Sequence, residues 1–304
     1  MPSVSEVDGV RAAAAVLREA AAAGRRVSIE RDGGDVLLST RALDRILEHE
    51  AGDLTCTVEA GFRLSALGEA LAAHGQMLAL DPPGDPTVGA CLAGNLSGPR
   101  RHRYGTMRDL VIGATVVLGD GTVASSGGKV VKNVAGYDVA KLFCGSEGRL
   151  GLVARVSLRL HPIPEATATV VAPAEAAAAR AVLRSTLVPS AVDVHWPDRL
   201  ALRFEGSERA VTAQVESARE LIGAEPAGED VWIEAAERQA RARGRLAFPP
   251  AALAEVLARE EEAIVRVAAG VAYVPHAVPD PRDPAEIALV ERIRTRFDPA
   301  GILV

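Results

Sequence analysis

Between Asp81 and Pro164, glycine, small hydroxyl residues and arginine recur at points where apolar runs stop. The block holds Asp81-Pro82-Pro83-Gly84, Thr87-Val88-Gly89-Ala90, Asn95-Leu96-Ser97-Gly98-Pro99-Arg100-Arg101, Arg103-Tyr104-Gly105, Lys132-Asn133-Val134-Ala135-Gly136-Tyr137-Asp138 and Gly145-Ser146-Glu147-Gly148-Arg149-Leu150-Gly151. Residues without Cβ obstruction let backbone N–H groups gather in concave turns, which meet the charge of a phosphorylated ligand. Thr87–Ala90 and Ser97-Gly98 are segments of this type, and Arg101 and Arg103 can add charge-assisted bonds. A lone Gly-x-Ser or arginine pair is an ordinary loop. The conjunction of motifs carries the weight.

The flanking sequence supplies the scaffold. Ser5 to Ala23 reads as a helix stopped by Gly24, followed by strands at Val27–Glu30, Val36–Ser39 and Leu54–Ala60, and a helix from Leu64 to His74. Val111–Leu118 and Thr122–Ala124 around Gly119-Asp120-Gly121 read as a hairpin. Asp138–Phe143 suggests a short helix and Leu150–Leu160 a strand, ended by His161-Pro162-Ile163-Pro164. Past Pro164 alanine-rich helices alternate with short strands, an α+β layer on an antiparallel sheet. Asp283-Pro284-Ala285-Glu286 is a strong helix start: N-cap, proline in the first turn and a capping-box glutamate.

The order of motifs resembles the flavin-binding segment of the vanillyl-alcohol-oxidase (PCMH-type) FAD domain, and within it the smaller FAD-binding subunit of bacterial glycolate oxidase (glycolate dehydrogenase). The likeness is specific from Leu43 to Pro164, weaker at both ends, and architectural from Ala166 to Ala277. It implies an α+β fold: a two-subdomain PCMH-type FAD-binding domain plus an α+β cap domain with an antiparallel sheet. The expected divisions are residues 1–80 (first FAD-binding subdomain), 81–165 (second), 166–277 (cap) and 278–304 (C-terminal helix and a tail returning to the FAD domain). Carried onto this chain, the implied cofactor-binding residues are Pro82, Pro83, Thr87, Gly89, Asn95, Ser97, Gly98, Arg101, Tyr104, Gly105, Asp109, Glu147, Gly148, Leu150 and Val153. Leu150 and Val153 read equally well as strand core, and Asp109 as a cap. The Gly127–Asp138 element is the most subunit-specific signal. Lys129 and Lys132, two of only three lysines, are candidates to hold a substrate carboxylate or to flank a surface loop. His102, beside Arg101 and Arg103, is the third catalytic candidate.

The chain also departs from this pattern. After Val27–Glu30 the family has a long glycine-triplet loop around the pyrophosphate; here only Arg31-Asp32-Gly33-Gly34-Asp35 remains, and its carboxylates oppose a diphosphate. Ala90 and Arg149 stand where glycine and threonine are usual. The histidine-rich cap motif of the larger catalytic subunit is missing.

Composition narrows the function classes. At 304 residues and 48% hydrophobic content the chain can bury a two-domain core. A net charge of −6 and 3% aromatic residues argue against a nucleic-acid surface. Three isolated cysteines without C-x-x-C encode neither a cluster nor a metal site, and they fit a reducing cytoplasm. The start reads as an amphipathic helix with no signal peptide, so membrane contact is expected only through partners.

The resemblance implies FAD as cofactor and hydride transfer from a small 2-hydroxy acid. Its implied partners are a larger FAD-containing subunit and an iron–sulfur subunit. Two alternatives stay open: a flavin-free structural subunit, and a stand-alone FAD-dependent alcohol or aldonolactone oxidoreductase.

Overall fold

The computed structural model describes residues 3–128 and 139–304. β1 (Ser3–Glu6) leads into helix α1 (Val10–Ala22), then β2 (Val27–Ile29) and β3 (Val36–Ser39). These three strands form a parallel sheet in the order β1-β3-β2. Ser3–Glu6 is therefore a strand, where helical spacing predicts that the first helix has already begun at Ser5. The edge position on β3 decides the matter, because its partner supplies the hydrogen bonds that local propensity does not. α1 buries Ala13, Ala14, Leu17 and Ala20 in one apolar cluster with Val27, Leu38, Val117 and Leu152.

Next come β4 (Ile46–Glu50), β5 (Thr55–Glu59), α2 (Leu64–Ala72), β6 (Gln76–Met77), α3 (Val88–Gly94), α4 (Arg101–Tyr104) and α5 (Met107–Leu110). The expected hairpin follows as β7 (Val111–Val117) and β8 (Val123–Gly127), then a 3₁₀ turn at Val139–Leu142, β9 (Leu152–Arg159) and β10 (His161–Pro162). An antiparallel five-stranded sheet runs β4-β5-β9-β7-β8. α2, α3 and α5 bury Leu67, Leu71, Val88, Cys91, Leu92, Met107 and Leu110 against it.

The C-terminal half builds β11 (Ala166–Pro173), α6 (Ala176–Arg184), β12 (Ala191–Trp196), β13 (Arg199–Gly206), α7 (Glu208–Ile222), β14 (Glu225–Ala227), α8 (Asp230–Arg241), β15 (Gly244–Ala247), α9 (Leu253–Arg259), β16 (Ala263–Arg266) and β17 (Val271–Val274). Its seven strands form one antiparallel sheet in the order β14-β11-β13-β12-β16-β17-β15. Strand alternation splits the two faces. Val192, Val194, Leu200, Leu202 and Phe204 point to α6, α7 and α9. The opposite face carries Ala191, Ala201, Asp193, Arg203 and Glu205, and α8 covers part of it through Val231 and Trp232.

That polar face is turned to the first half of the molecule. Arg100 places Nη2 2.8 Å and Nε 3.0 Å from Glu205 Oε1, and Arg103 donates to the Glu205 carbonyl at 2.7 Å. Gln239 on α8 donates to the Ser97 carbonyl, and Arg203 stands 3.7 Å from Asp81. Buried Arg266 pairs with buried Asp193 in the same layer. Finally α10 (Pro284–Phe297) starts with the expected capping box: Asp283 accepts from the Glu286 N–H, and Glu286 accepts from that of Asp283. The tail then crosses back, and Leu303 pairs in parallel with Val27 beside β2.

Candidate functional site

A cleft of about 240 Å³ opens where the small parallel sheet, α3 and β9 meet. Ile29, Glu30 and Thr40 form one wall, Thr87, Gly89, Ala90 and Ala93 the second, and Gly148, Gly151 and Val153 the third. Its position follows from local rules. Thr87 caps α3 by accepting from the Ala90 N–H at 3.2 Å, and Asn95 ends the helix in the left-handed region at φ 44°. The turn at Glu147 and Gly148 is then pinned to α3, because the Gly145 N–H donates to Leu92 and the Glu147 N–H to Ala93. Gly148 takes φ +76°, and a Cβ there would stand 3.4 Å from Ile29 Cδ1 on the opposite wall. A side chain larger than a methyl group at 148 would press on that wall.

Glu147 also borders a second cleft of about 360 Å³ against α10, lined by Cys144, Ser146, Leu150, Val290 and Arg294. Its carboxylate lies 3.7 Å from Arg31 and 3.4 Å from Arg149, so two guanidiniums stand at the rim between the clefts. Arg149 is thus paired rather than simply solvated. Together the two spaces reach the size range of small-molecule sites, roughly 300–1,000 Å³.

The structure gathers six of the implied residues around these clefts. Thr87, Gly89, Glu147, Gly148 and Val153 line the first, and Leu150 the second. Others serve the scaffold. A Cβ on Gly98 would lie 1.7 Å from the Asp81 carbonyl, so this glycine permits chain packing. Gly105 at φ +85° backs onto Asp109, whose carboxylate takes both the N–H and the hydroxyl of Thr106 in a capping box. Asn95 accepts from the Arg108 N–H, and Ser97 accepts from Arg101 at 3.2 Å. Tyr104 stacks edge-on against His161 at 4.8 Å. Pro82 is buried and Pro83 half-buried in the chain leading to α3. Burial lowers the pKa of His102, favouring its neutral form. Lys129 and Lys132 lie outside the described residues.

One expectation is corrected in its chemistry. Thr87–Ala90 is read from sequence as a turn offering free N–H groups to a phosphate. It is instead the start of a helix whose donors are taken: Val88 donates to Phe62, Gly89 to Ala60, Ala90 to Thr87 Oγ1 and Cys91 to the Thr87 carbonyl. Across the cleft Thr40 lines the opposite wall, with Ser39 buried beside it, and sequence reasoning missed both. Both hydroxyls and the Thr40 N–H point to Glu30 Oε1. The two carboxylates of the shortened loop are elsewhere: Asp35 accepts from the Arg26 N–H at 2.8 Å, and Asp32 is exposed.

Residues 7–127, which include α1, α3 and two walls of the cleft, match the family described as FAD binding domain. Glycolate oxidase subunit GlcE of Escherichia coli (strain K12) is 34% identical over 208 residues, covering 66% of this chain and 58% of that protein. Glycolate oxidase subunit GlcD of Bacillus subtilis (strain 168) is 40% identical over 143 residues, covering 46% and 30%. The chain thus spans less than two thirds of either relative. A solved alkyldihydroxyacetonephosphate synthase superposes over 98% of this chain and 75% of its own, with a TM-score of 0.72 at 15% identity. The fold is the expected α+β arrangement: a PCMH-type FAD-binding domain carrying an α+β layer with an antiparallel sheet. The cleft suits the cofactor that names the domain, because Gly89, Gly94, Gly148 and Gly151 line it without side chains.

Proposed function

We propose that the chain is the FAD-binding subunit of an oxidoreductase complex of the glycolate oxidase type, acting on the CH–OH group of a small 2-hydroxy acid. The observation that carries this reading is the cleft two of whose walls, at residues 29–40 and 87–93, fall within the residues that match an FAD-binding domain, with Gly148 on the third. The 34% identity to a protein named as a glycolate oxidase subunit supports the substrate class. Thr87, Gly89, Gly148 and Val153 would hold the dinucleotide, with Arg31 and Arg149 offering charge at the rim. When bound, the flavin supplies the hydride acceptor for oxidation of the hydroxy acid.

The residues themselves orient and shield. Val153 and Ile29 exclude water from the cleft walls, and the ion pairs of Arg100, Arg103 and Arg203 hold the antiparallel layer over Asp81 and Ser97. Because the histidine-rich cap motif of the larger catalytic subunit is missing from this sequence, turnover is assigned to a partner. We assign that role to a larger FAD-containing subunit, with an iron–sulfur subunit taking the electrons. The unpaired cysteines support a cytoplasmic site, with membrane contact through partners.

The test is glycolate-dependent dye reduction, measured for the chain alone and with the co-expressed larger subunit. Activity only in the complex, with flavin retained by this chain, is expected. Activity by the chain alone would favour a stand-alone oxidoreductase. A flavin-free structural subunit is the second reading. The observation favouring it is that every N–H at the start of α3 is already bonded within the protein.

A further inference from the structure

Among the described residues, Glu30 is the carboxylate that lines the cleft from the side of the small sheet, and its setting is unusual. Its backbone lies in the left-handed region at φ 53°, a conformation that side chains other than glycine, asparagine and aspartate rarely adopt. That twist turns the side chain back over the end of β3. There Oε1 accepts from Ser39 Oγ at 3.0 Å, from Thr40 Oγ1 at 3.0 Å and from the Thr40 N–H. Oε2 stands 4.0 Å from Arg41 Nε. Two hydroxyls and one N–H converging on a single anionic oxygen make an anion seat. Thr40 and Glu30 both line the cleft, together with Thr87, Gly89 and Gly148.

The N–H groups at the start of α3 do not meet an anion, because Val88, Gly89, Ala90 and Cys91 spend theirs inside the fold. A diphosphate that reaches the small-sheet wall of this cleft therefore meets the Thr40 donors, with Ser39 behind them, and it needs Glu30 to leave them. Its charge would otherwise face a carboxylate across the same seat.

We propose that Glu30 is an affinity- and specificity-determining residue that occupies the diphosphate seat of this cleft and opposes ligands carrying that group. The inference rests on the FAD reading above. It sets a difference between ligands: FAD and ADP compete with Glu30, whereas riboflavin, which has no phosphate, does not. Because the Glu30 side chain is 34% exposed, solvent screens part of the repulsion. Removing the charge is expected to tighten FAD and ADP binding by roughly tenfold, the lower range for relieving a like-charge contact.

The experiment titrates FAD, ADP and riboflavin into the purified chain and into Glu30→Gln and Glu30→Gly, by calorimetry and flavin fluorescence. Gln keeps the shape and the acceptor oxygen, while Gly suits the positive φ, so at least one variant retains the fold as judged by cooperative thermal unfolding. Tighter FAD and ADP with unchanged riboflavin is the expected result. Equal FAD and ADP affinity in wild type and folded variants overturns the role of Glu30 and leaves the FAD reading standing. Equal tightening of all three ligands also overturns it, since the gain would not depend on the diphosphate. No binding of FAD or ADP by any folded variant sinks both.

Discussion

Single residues decide whether this cleft can be filled, and they differ in how visible they are in sequence. Gly148 is visible, because glycine after Glu147 in a strand-entry turn is a recognisable motif, and the structure gives its reason: φ +76° and Ile29 3.4 Å from its absent Cβ. Gly148→Val should lower FAD affinity at least tenfold in a fluorescence titration. Gly24→Val is the control: it carries a similar positive φ with nothing within 4 Å, so it shares the backbone strain of about 1–2 kcal/mol without touching the cleft. Glu30 is not visible in the same way. As the last residue of an alternating strand it reads as solvated, and only its left-handed backbone turns it onto Ser39 and Thr40. The hydroxyl pair at Ser39-Thr40 after β3 is the signal that could have raised it. Cys56 and Cys91 are buried, and burial pushes both thiols up to about 12. Both should resist iodoacetamide at pH 8 in the native chain and react on unfolding, as read by mass spectrometry.

At the scale of elements, those with strong local signals are legible: the hairpin around Gly119-Asp120-Gly121, α7 ending at Gly223 and α10 with its capping box. β4 and β15 were not, because they sit at or near sheet edges and mix charged with apolar residues (Ile46-Leu47-Glu48-His49-Glu50 in β4), so only their partners define them. α3 was hidden by its glycines, which sequence reasoning assigned to a ligand loop. The contact between the two halves was also illegible, since Arg100 and Glu205 are 105 positions apart. Glu205 has a fully buried side chain, whereas that of Arg100 is a quarter exposed. Arg100→Ala would leave the carboxylate unpaired and should cost about 3 kcal/mol in urea unfolding, the lower end for a broken buried pair. Burial raises the Glu205 pKa, but Arg100 and further hydrogen bonds outweigh it and hold the group below its ordinary 4.5. A carboxyl held low stabilises the fold above its unfolded pKa and loses that contribution as pH falls. The advantage of wild type over Glu205→Gln should therefore be full at pH 7 and shrink below pH 4.5.

For the whole molecule, the chain closes on itself. The tail places Leu303, fully buried, beside Val27, and Asp298 accepts from the Leu303 N–H at 2.8 Å. The return of the tail is what the family resemblance implies, and the structure supplies the contact. Leu303→Ala should lower stability by about 2–5 kcal/mol, and because Val27 belongs to the strand that carries Ile29 and Glu30 toward the cleft, FAD affinity should fall with it. The central claim is that this fold holds a flavin dinucleotide between its small sheet, α3 and the Gly148 turn. Titration of FAD into the purified chain tests it most directly. Saturable quenching of flavin fluorescence at one FAD per chain, lost in Gly148→Val, is the predicted result; no saturable change in wild type or Glu30→Gln, both unfolding cooperatively, would contradict it.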